Sequence, residues 1–338
     1  MKLEEVDQIV EETEGRARVL TGWQLKFVAS IAFIWSVFQL WYASPFPFMV
    51  GFGVFIDVPA RAIHLGFGLF LAFLSFPFYK KNRLKQFNYI NIFLALLSVF
   101  VTFYLFFNYE NLVYRNGILL KQPINIFGTT YEFPTELVIG FIGIILLLEA
   151  TRRAIGTPLV IVASIFLIYS IFGQSMPELI SHQGLSLKRL VGYHWFGGEA
   201  IFGIPISVSV SFVFLFVLFG SMLDYAGGGK YFLSLAIALV GKFRGGPAKA
   251  SIMASGLTGM ISGSSIANVV TTGTFTIPIM KKTGFPAVKA GAIEVAASVN
   301  GQIMPPIMGA AAFIIAEMLG ITYFEVIKHA FIPAVIVY

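Results

Sequence analysis

The 338 residues contain no cysteine. Disulfide staples, thiolate metal sites and cysteine nucleophiles are therefore excluded. Charge is scarce too. Asp, Glu, Lys and Arg together make up 12% of the chain, roughly half the share of a soluble domain. So little charge argues against a disordered chain and against a nucleic-acid module. What fills the sequence instead is apolar. Hydrophobic residues reach 57%, with 36 Phe among them, and the mean hydropathy is +0.83. This composition belongs to a membrane protein and not to an ordinary cytosolic enzyme. The net charge of +6 reads as loop placement beside a bilayer, because the basic residues lie between apolar blocks.

A helical span needs about 20 apolar residues. Residues 1–22 do not qualify. Glu4, Glu5, Asp7, Glu11, Glu12 and Glu14 precede Arg16 and Arg18, which reads as an acidic tail and not as a signal peptide. Spans are expected at 24–42, 62–79, 88–107, 134–150, 157–173 and 204–223. The stretch 46–58, with Pro47, Gly51 and Gly53, is expected near an interface and not as a straight helix. Arg16, Arg18 and Lys26, then Lys80, Lys81, Arg83 and Lys85, then Arg152 and Arg153 fall in alternate connections. They share one side, the cytoplasm, which places the N-terminus there and the connections 43–60, 108–133 and 174–200 outside. The segment 231–241 is too short to cross. It lies along the interface or packs inside protein.

From residue 247 Phe becomes rare and Gly, Ala, Ser and Thr dominate. Small residues let helices approach closely in a bilayer, and close packing is the expected use of Gly259 and Gly263. The block 247–280 is interrupted by Ser262, Gly263, Ser264, Ser265 and Asn268, residue types that cap helices better than they fill them. Each arm is too short for the bilayer core, and basic residues flank both ends. These features predict a re-entrant helical hairpin with a polar tip. Irregular backbone at that depth persists only where protein or a water-filled cavity surrounds it. Free N–H groups at the second arm can face an anion, the first arm's last carbonyls can coordinate Na⁺, and Thr271 and Thr272 add hydroxyls. The bland alternative is a Ser-rich turn bonding its own backbone.

The next block, 285–321, carries Asn300, Gly301, Gln302, Pro305 and Pro306 at its centre. Proline has no N–H, so Pro305 is expected to free the carbonyl of Gly301 and Pro306 that of Gln302. The alternative is a simple kink. A hairpin followed by a broken helix is the sequence sign of a secondary transporter. Na⁺ is expected at Ser262, Ser264, Gly301 and Gln302. Glu294 is expected to pair with Lys289 or Arg244, with holding a network or sensing protons as the alternative, and His64 is expected to be packed or interfacial. No GxxxxGK[ST] loop or HExxH occurs, so no ATPase or zinc hydrolase is indicated. Transport would draw on an ion gradient or on the substrate's own.

At these residues the chain resembles the fused membrane permease of the tripartite ATP-independent periplasmic (TRAP) transporters, in their TAXI-type branch. The stretches that carry the resemblance are Arg61 to Leu65, Leu148 to Gly156, Ala200 to Pro205, Phe214 to Gly220, Arg244 to Ala250, Ser262 to Asn268 with Thr271 to Pro278, and Pro305 to Phe313. The resemblance implies an all-α polytopic protein of the cytoplasmic (inner) membrane of a bacterium or archaeon. Residues 1–22 would be the tail, 23–156 a four-helix small-subunit part, 157–200 a connector helix and outer loop, and 201–338 the first part of a large elevator domain. It implies Na⁺-coupled uptake of an organic anion (a carboxylate) from a TAXI-type periplasmic binding protein. Na⁺ is then the coupling ion, with no other cofactor, and lipid rather than nucleic acid is the surrounding partner. Ser262 to Asn268 would be the first hairpin tip and Gly301 to Pro306 the first broken helix.

The family's large part has two hairpins and two broken helices. This chain supplies one of each, so it is expected to be cut short. Two rivals remain open at this point: a membrane scaffold or non-transporting remnant, and an intramembrane enzyme using Ser264 or Ser265. The enzyme reading lacks a base, because no His lies in either broken block.

Overall fold

The computed structural model describes residues 17–18, 20–78, 87–115, 118–126, 129–262, 265–305 and 308–337. Among them the chain is almost entirely helical. Five stretches are long and apolar enough to cross a membrane: Trp23–Ala43, Asp57–Ser75, Tyr89–Tyr114, Thr157–Ser175 and Ile204–Leu223. The protein is an all-α polytopic membrane protein. The expected fourth span is a 20-residue helix, Thr135–Ala154, but Glu136, Glu149, Arg152 and Arg153 leave it a shorter uncharged stretch than the other five. The fold divides into two compact units, one of Asp7–Ser207 and one built on Val208–Tyr338.

In the first unit, α1 (Trp23–Ala43) is followed by the short α2 (Phe46–Val50), then α3 (Asp57–Ser75), α4 (Tyr89–Tyr114), α5 (Thr135–Ala154), α6 (Thr157–Phe172) and the short α7 (Leu187–Val191). Helix α2 stops after five residues because Gly51 and Gly53 adopt positive φ, which only glycine takes without strain. Helix α3 starts at Asp57 and ends at Ser75, several residues earlier at each end than the hydropathy expected. Its first turn is anchored instead by Arg61, whose Nη1 donates to the carbonyl of Phe202 at 2.8 Å. The connection 115–134 holds a two-stranded antiparallel hairpin, β1 (Gln122–Ile126) and β2 (Thr129–Phe133), in register from Gln122↔Phe133 to Ile126↔Thr129. Helical periodicity gives no sign of it.

The core of this unit gathers Leu69, Phe73, Val101, Leu105, Ile139 and Trp195. The expected outer loop 174–200 is an ordered segment that carries Trp195 into that core, where it is fully buried. Gly143 on α5 makes the space: a Cβ there would lie 2.3 Å from the Trp195 indole. Gly143→Ala is expected to cost roughly 1–3 kcal/mol through overpacking, with a changed tryptophan emission. An unchanged melting point and spectrum would contradict the contact. Glu136, also fully buried, is held by Arg115 through Nη1 at 3.1 Å and Nη2 at 2.7 Å, by the Leu120 N–H at 2.5 Å and by Tyr104 at 3.2 Å. One carboxylate thus ties the end of α4, the following connection and the start of α5 together. His64 is buried and accepts at Nδ1 from the Trp35 indole at 3.2 Å, with Gln39 beside it. It is a packed residue, as expected. Large apolar side chains such as Phe33, Phe93 and Phe166 remain exposed on the helix faces, the surface that a bilayer covers.

The second unit contains α9 (Phe214–Tyr225), α10 (Gly228–Val240), α11 (Gly246–Ser262), α12 (Ser265–Lys282), α13 (Ala287–Asn300), α14 (Ala310–Leu319) and α15 (Tyr323–Val337). The short helix Ile204–Val208, here α8, leads through a π turn at Ser209–Val213 into α9. Helix α10 packs on α11 through Ala236, Ala250 and Ala254, while Tyr231, Ile237 and Leu239 stay exposed, so one face of 231–241 packs against protein and the other does not. The last apolar stretch belongs to the 15-residue helix α15, which starts at Tyr323.

Candidate functional site

Pro247 is the second residue of α11, where a missing N–H costs nothing. From there Ala250, Ser251, Ala254, Ser255 and Thr258 form a buried face of small residues. Helix α11 ends at Ser262 and α12 begins at Ser265. Gly263, Ser264 and Pro306 lie outside the described residues, as does the side chain of Ser262. Asn268 folds back on α11: its Nδ2 donates to Ser255 O at 2.8 Å and to Ser255 Oγ at 3.1 Å. The two helices therefore form a hairpin, as expected.

Helix α13 stops at Asn300, passes through a 3₁₀ turn at Gly301–Ile303 and resumes as α14 only at Ala310. Met308 within this break has φ +62°, a strained value for a non-glycine residue. The expected free carbonyls are not free. Gly301 O accepts from the Met304 N–H at 3.3 Å, and Gln302 O from the Gly309 N–H at 2.7 Å. The chain turns back on itself at the break and supplies new donors. Among the described residues each bond uses one of the two lone pairs on its oxygen.

The break meets the hairpin backbone to backbone. A Cβ on Gly259 would lie 2.5 Å from Gly301 Cα, and a Cβ on Gly301 would lie 2.7 Å from Gly259 Cα. The partner of Gly259 is thus a glycine of the broken helix. Gln302 Nε2 also donates to Ser265 Oγ at 3.1 Å, so the two interrupted segments are joined at their polar ends. Asn300 stands half buried at the end of α13, and Pro305 is buried.

Behind this contact lies a polar network that the sequence reading did not assemble. Glu294 is fully buried. It carries no ion pair to Lys289 or Arg244, or to any cation among the described residues. The physical reason is distance along its own helix and a face turned inward: its carboxylate meets hydroxyls of α12 instead. Oε2 accepts from Thr276 at 2.5 Å, Oε1 accepts from Thr272 and, at 3.2 Å, from Ser298. Ser298 Oγ lies 3.0 Å from Ser255 Oγ, which continues to Asn268. Gly273 gives Glu294 room, since a Cβ there would stand 3.2 Å from its Cγ. The signal for this network was the four-residue spacing of Asn268, Thr272 and Thr276 facing that of Glu294 and Ser298. Asn268 is fully buried, yet its Oδ1 has no hydrogen-bond partner among the described residues. That oxygen is a spare acceptor suited to a cation or an ordered water.

Thr271 lies on another side of α12. With Thr272, Thr276, Phe275, Tyr225, Leu233 and Lys230 it lines a cavity of about 320 Å³. Lys230, the cationic group of that lining, was not singled out from the sequence. No group of three or more His, Asp or Glu among the described residues is arranged to hold a metal.

Residues 142–338 match the family described as tripartite ATP-independent periplasmic transporter, DctM component. An uncharacterized protein of Salmonella typhimurium, YgiK, is 30% identical over 52% of this chain and 36% of its own length. The C4-dicarboxylate TRAP transporter large permease proteins of Rhodobacter capsulatus and Vibrio cholerae are 34% and 37% identical over 27% of this chain. They are covered over 21% and 20% of their own lengths, so the chain spans about a third or less of the relatives it matches. No solved structure matches it. A family match over more than half of the chain, on the hairpin and broken helix just described, makes this protein a member of the TRAP transporter permease family, DctM component.

Proposed function

We propose that the chain is part of the membrane permease of a Na⁺-coupled TRAP transporter. Its substrate is an organic anion of the carboxylate class, delivered by a periplasmic binding protein of the TAXI type. The permease sits in the cytoplasmic membrane with its N-terminus inside, and the second unit works as an elevator. Relatives named for C4-dicarboxylates support the substrate class. The observation that carries the reading is the junction of hairpin and broken helix: Gly259 against Gly301, Gln302 on Ser265, and the buried Asn268 Oδ1 without a partner. Paired interrupted helices with spare oxygens are where secondary transporters hold their coupling ion. The remaining lone pairs of Gly301 O and Gln302 O, with Ser262 and Ser264, complete the proposed Na⁺ ligands. The Lys230 cavity, with Thr271 and Thr272, receives the anion.

The test is thermal unfolding of the detergent-purified protein in NaCl against equal KCl. Na⁺ is expected to raise the melting point through binding to the folded state, and Asn268→Ala is expected to abolish that rise. Identical melting curves in the two salts would sink the Na⁺ assignment.

A further inference from the structure

The first unit contains a cluster of arginines that the transport reading does not use. Arg153, near the end of α5, is 3% exposed, and Arg18, just before α1, is 9% exposed. The backbone N–H of Arg18 donates to Ser75 O at 2.7 Å, which fixes the residue at the C-terminal end of α3. Arg153 donates from Nε to Glu149 Oε1 at 2.7 Å and from Nη1 to Asn91 Oδ1 at 2.8 Å. Glu149 is shared, because Arg152 also binds it at 2.7 and 2.9 Å. Glu149 is therefore divided between two guanidiniums, and among the described residues no carboxylate pairs with Arg18. Three buried nitrogens, Arg18 Nε, Arg18 Nη1 and Arg153 Nη2, have no hydrogen-bond partner among the described residues. Burial and the nearby charge of Arg153 both hold the Arg18 guanidinium below its ordinary pKa.

Two buried guanidiniums with unmet donors are costly unless an anion satisfies both. The carbonyl ends of α3 and α5 offset only part of the charge. The level of the cluster indicates which anion. Trp23 opens α1 at 67% exposure, Tyr89 opens α4 at 90% and Ile155 follows α5 at 65%. Exposed Trp and Tyr at helix ends mark the headgroup level of a bilayer. Guanidiniums hold phosphate through paired N–H donors.

We infer that Arg18 and Arg153 form an anion site for a phosphate group at the membrane surface, supplied by a phospholipid headgroup. The inference is independent of the transport reading. It is tested on the full chain in detergent, freed of lipid, by thermal unfolding with phosphatidylglycerol, with diacylglycerol and with inorganic phosphate. Phosphatidylglycerol is expected to raise the melting point and diacylglycerol, which lacks the phosphate, to leave it unchanged. Arg18→Gln and Arg153→Gln are expected to need about tenfold more phosphatidylglycerol for the same shift, the loss of one charge-assisted hydrogen bond. If inorganic phosphate alone gives the full Arg18-dependent shift, the site stands and its source is soluble phosphate. Arg153 also holds Glu149 and Asn91, so Arg18→Gln decides the matter if Arg153→Gln does not fold. Equal lipid and phosphate shifts in wild type and Arg18→Gln overturn the site. So does an Arg18→Gln protein that melts higher than wild type in every condition, the result expected when a buried charge with no counter-ion is removed.

Discussion

Replacing Thr272 and Thr276 together by valine is expected to cost at least about 3 kcal/mol near pH 8, since two hydrogen bonds to a charged acceptor are lost. Valine keeps the shape of threonine, so packing is preserved and the effect isolates the hydroxyls. The Glu294 carboxylate would keep only Ser298, at 3.2 Å, in a site with no water contact. Unfolding curves of the variant and the wild type measure the loss. A loss below about 1 kcal/mol would show that the hydroxyls are not what holds the carboxylate.

The second large effect is expected at the junction of hairpin and broken helix. Gly259→Ala places a methyl group 2.5 Å from Gly301 Cα. The nearest neighbour is backbone and the next is the buried Asn268 Nδ2 at 3.0 Å, so moving a side chain does not relieve the clash and the two segments must separate. We expect a cost at the upper end of overpacking, about 3 kcal/mol or more. Gly301→Ala should behave alike, because its Cβ would meet Gly259 Cα at 2.7 Å. Gly291 supplies the control. It lies inside α13 with nothing within 4 Å of its would-be Cβ. Gly291→Ala should be neutral or stabilising by up to about 1 kcal/mol, the gain in helix propensity. If Gly259→Ala and Gly291→Ala melt alike, the backbone contact is not a determinant of the fold. If the proposed Na⁺ site spans that contact, the Na⁺-dependent rise in melting point should also disappear in Gly259→Ala wherever the protein still folds.

The helices were legible because long apolar runs, charge between them and prolines within them act locally. Trp23–Ala43 and Thr157–Phe172 follow from length and hydropathy alone. The hairpin also followed from local chemistry, since Ser, Gly and Asn interrupt a run whose arms are too short to cross. The β1–β2 pairing did not follow, because a two-stranded ribbon of five residues a side leaves no periodic trace longer than a turn. The start of α3 was missed for a different reason: Arg61 is held by the carbonyl of Phe202, 141 residues away. The free carbonyls expected after Asn300 were a local deduction that a non-local turn undid, when Gly309 returned its N–H to Gln302.

The site divides the same way. Asn268, Thr272, Gly301 and Gln302 stood out because polar and small residues in an apolar run are locally anomalous. Ser255, Thr276, Ser298 and Lys230 did not stand out, being ordinary in isolation. Composition and spacing determined that this is a polytopic helical membrane protein with a hairpin, a broken helix and a basic connection between its spans. Only the tertiary structure decided that Glu294 is caged by hydroxyls instead of paired with a cation, that Gly259 meets Gly301, and that Arg153 reaches Asn91. Hydropathy and helix breaking depend on neighbours in sequence, whereas the partner of a buried charge depends on which helix face arrives opposite it.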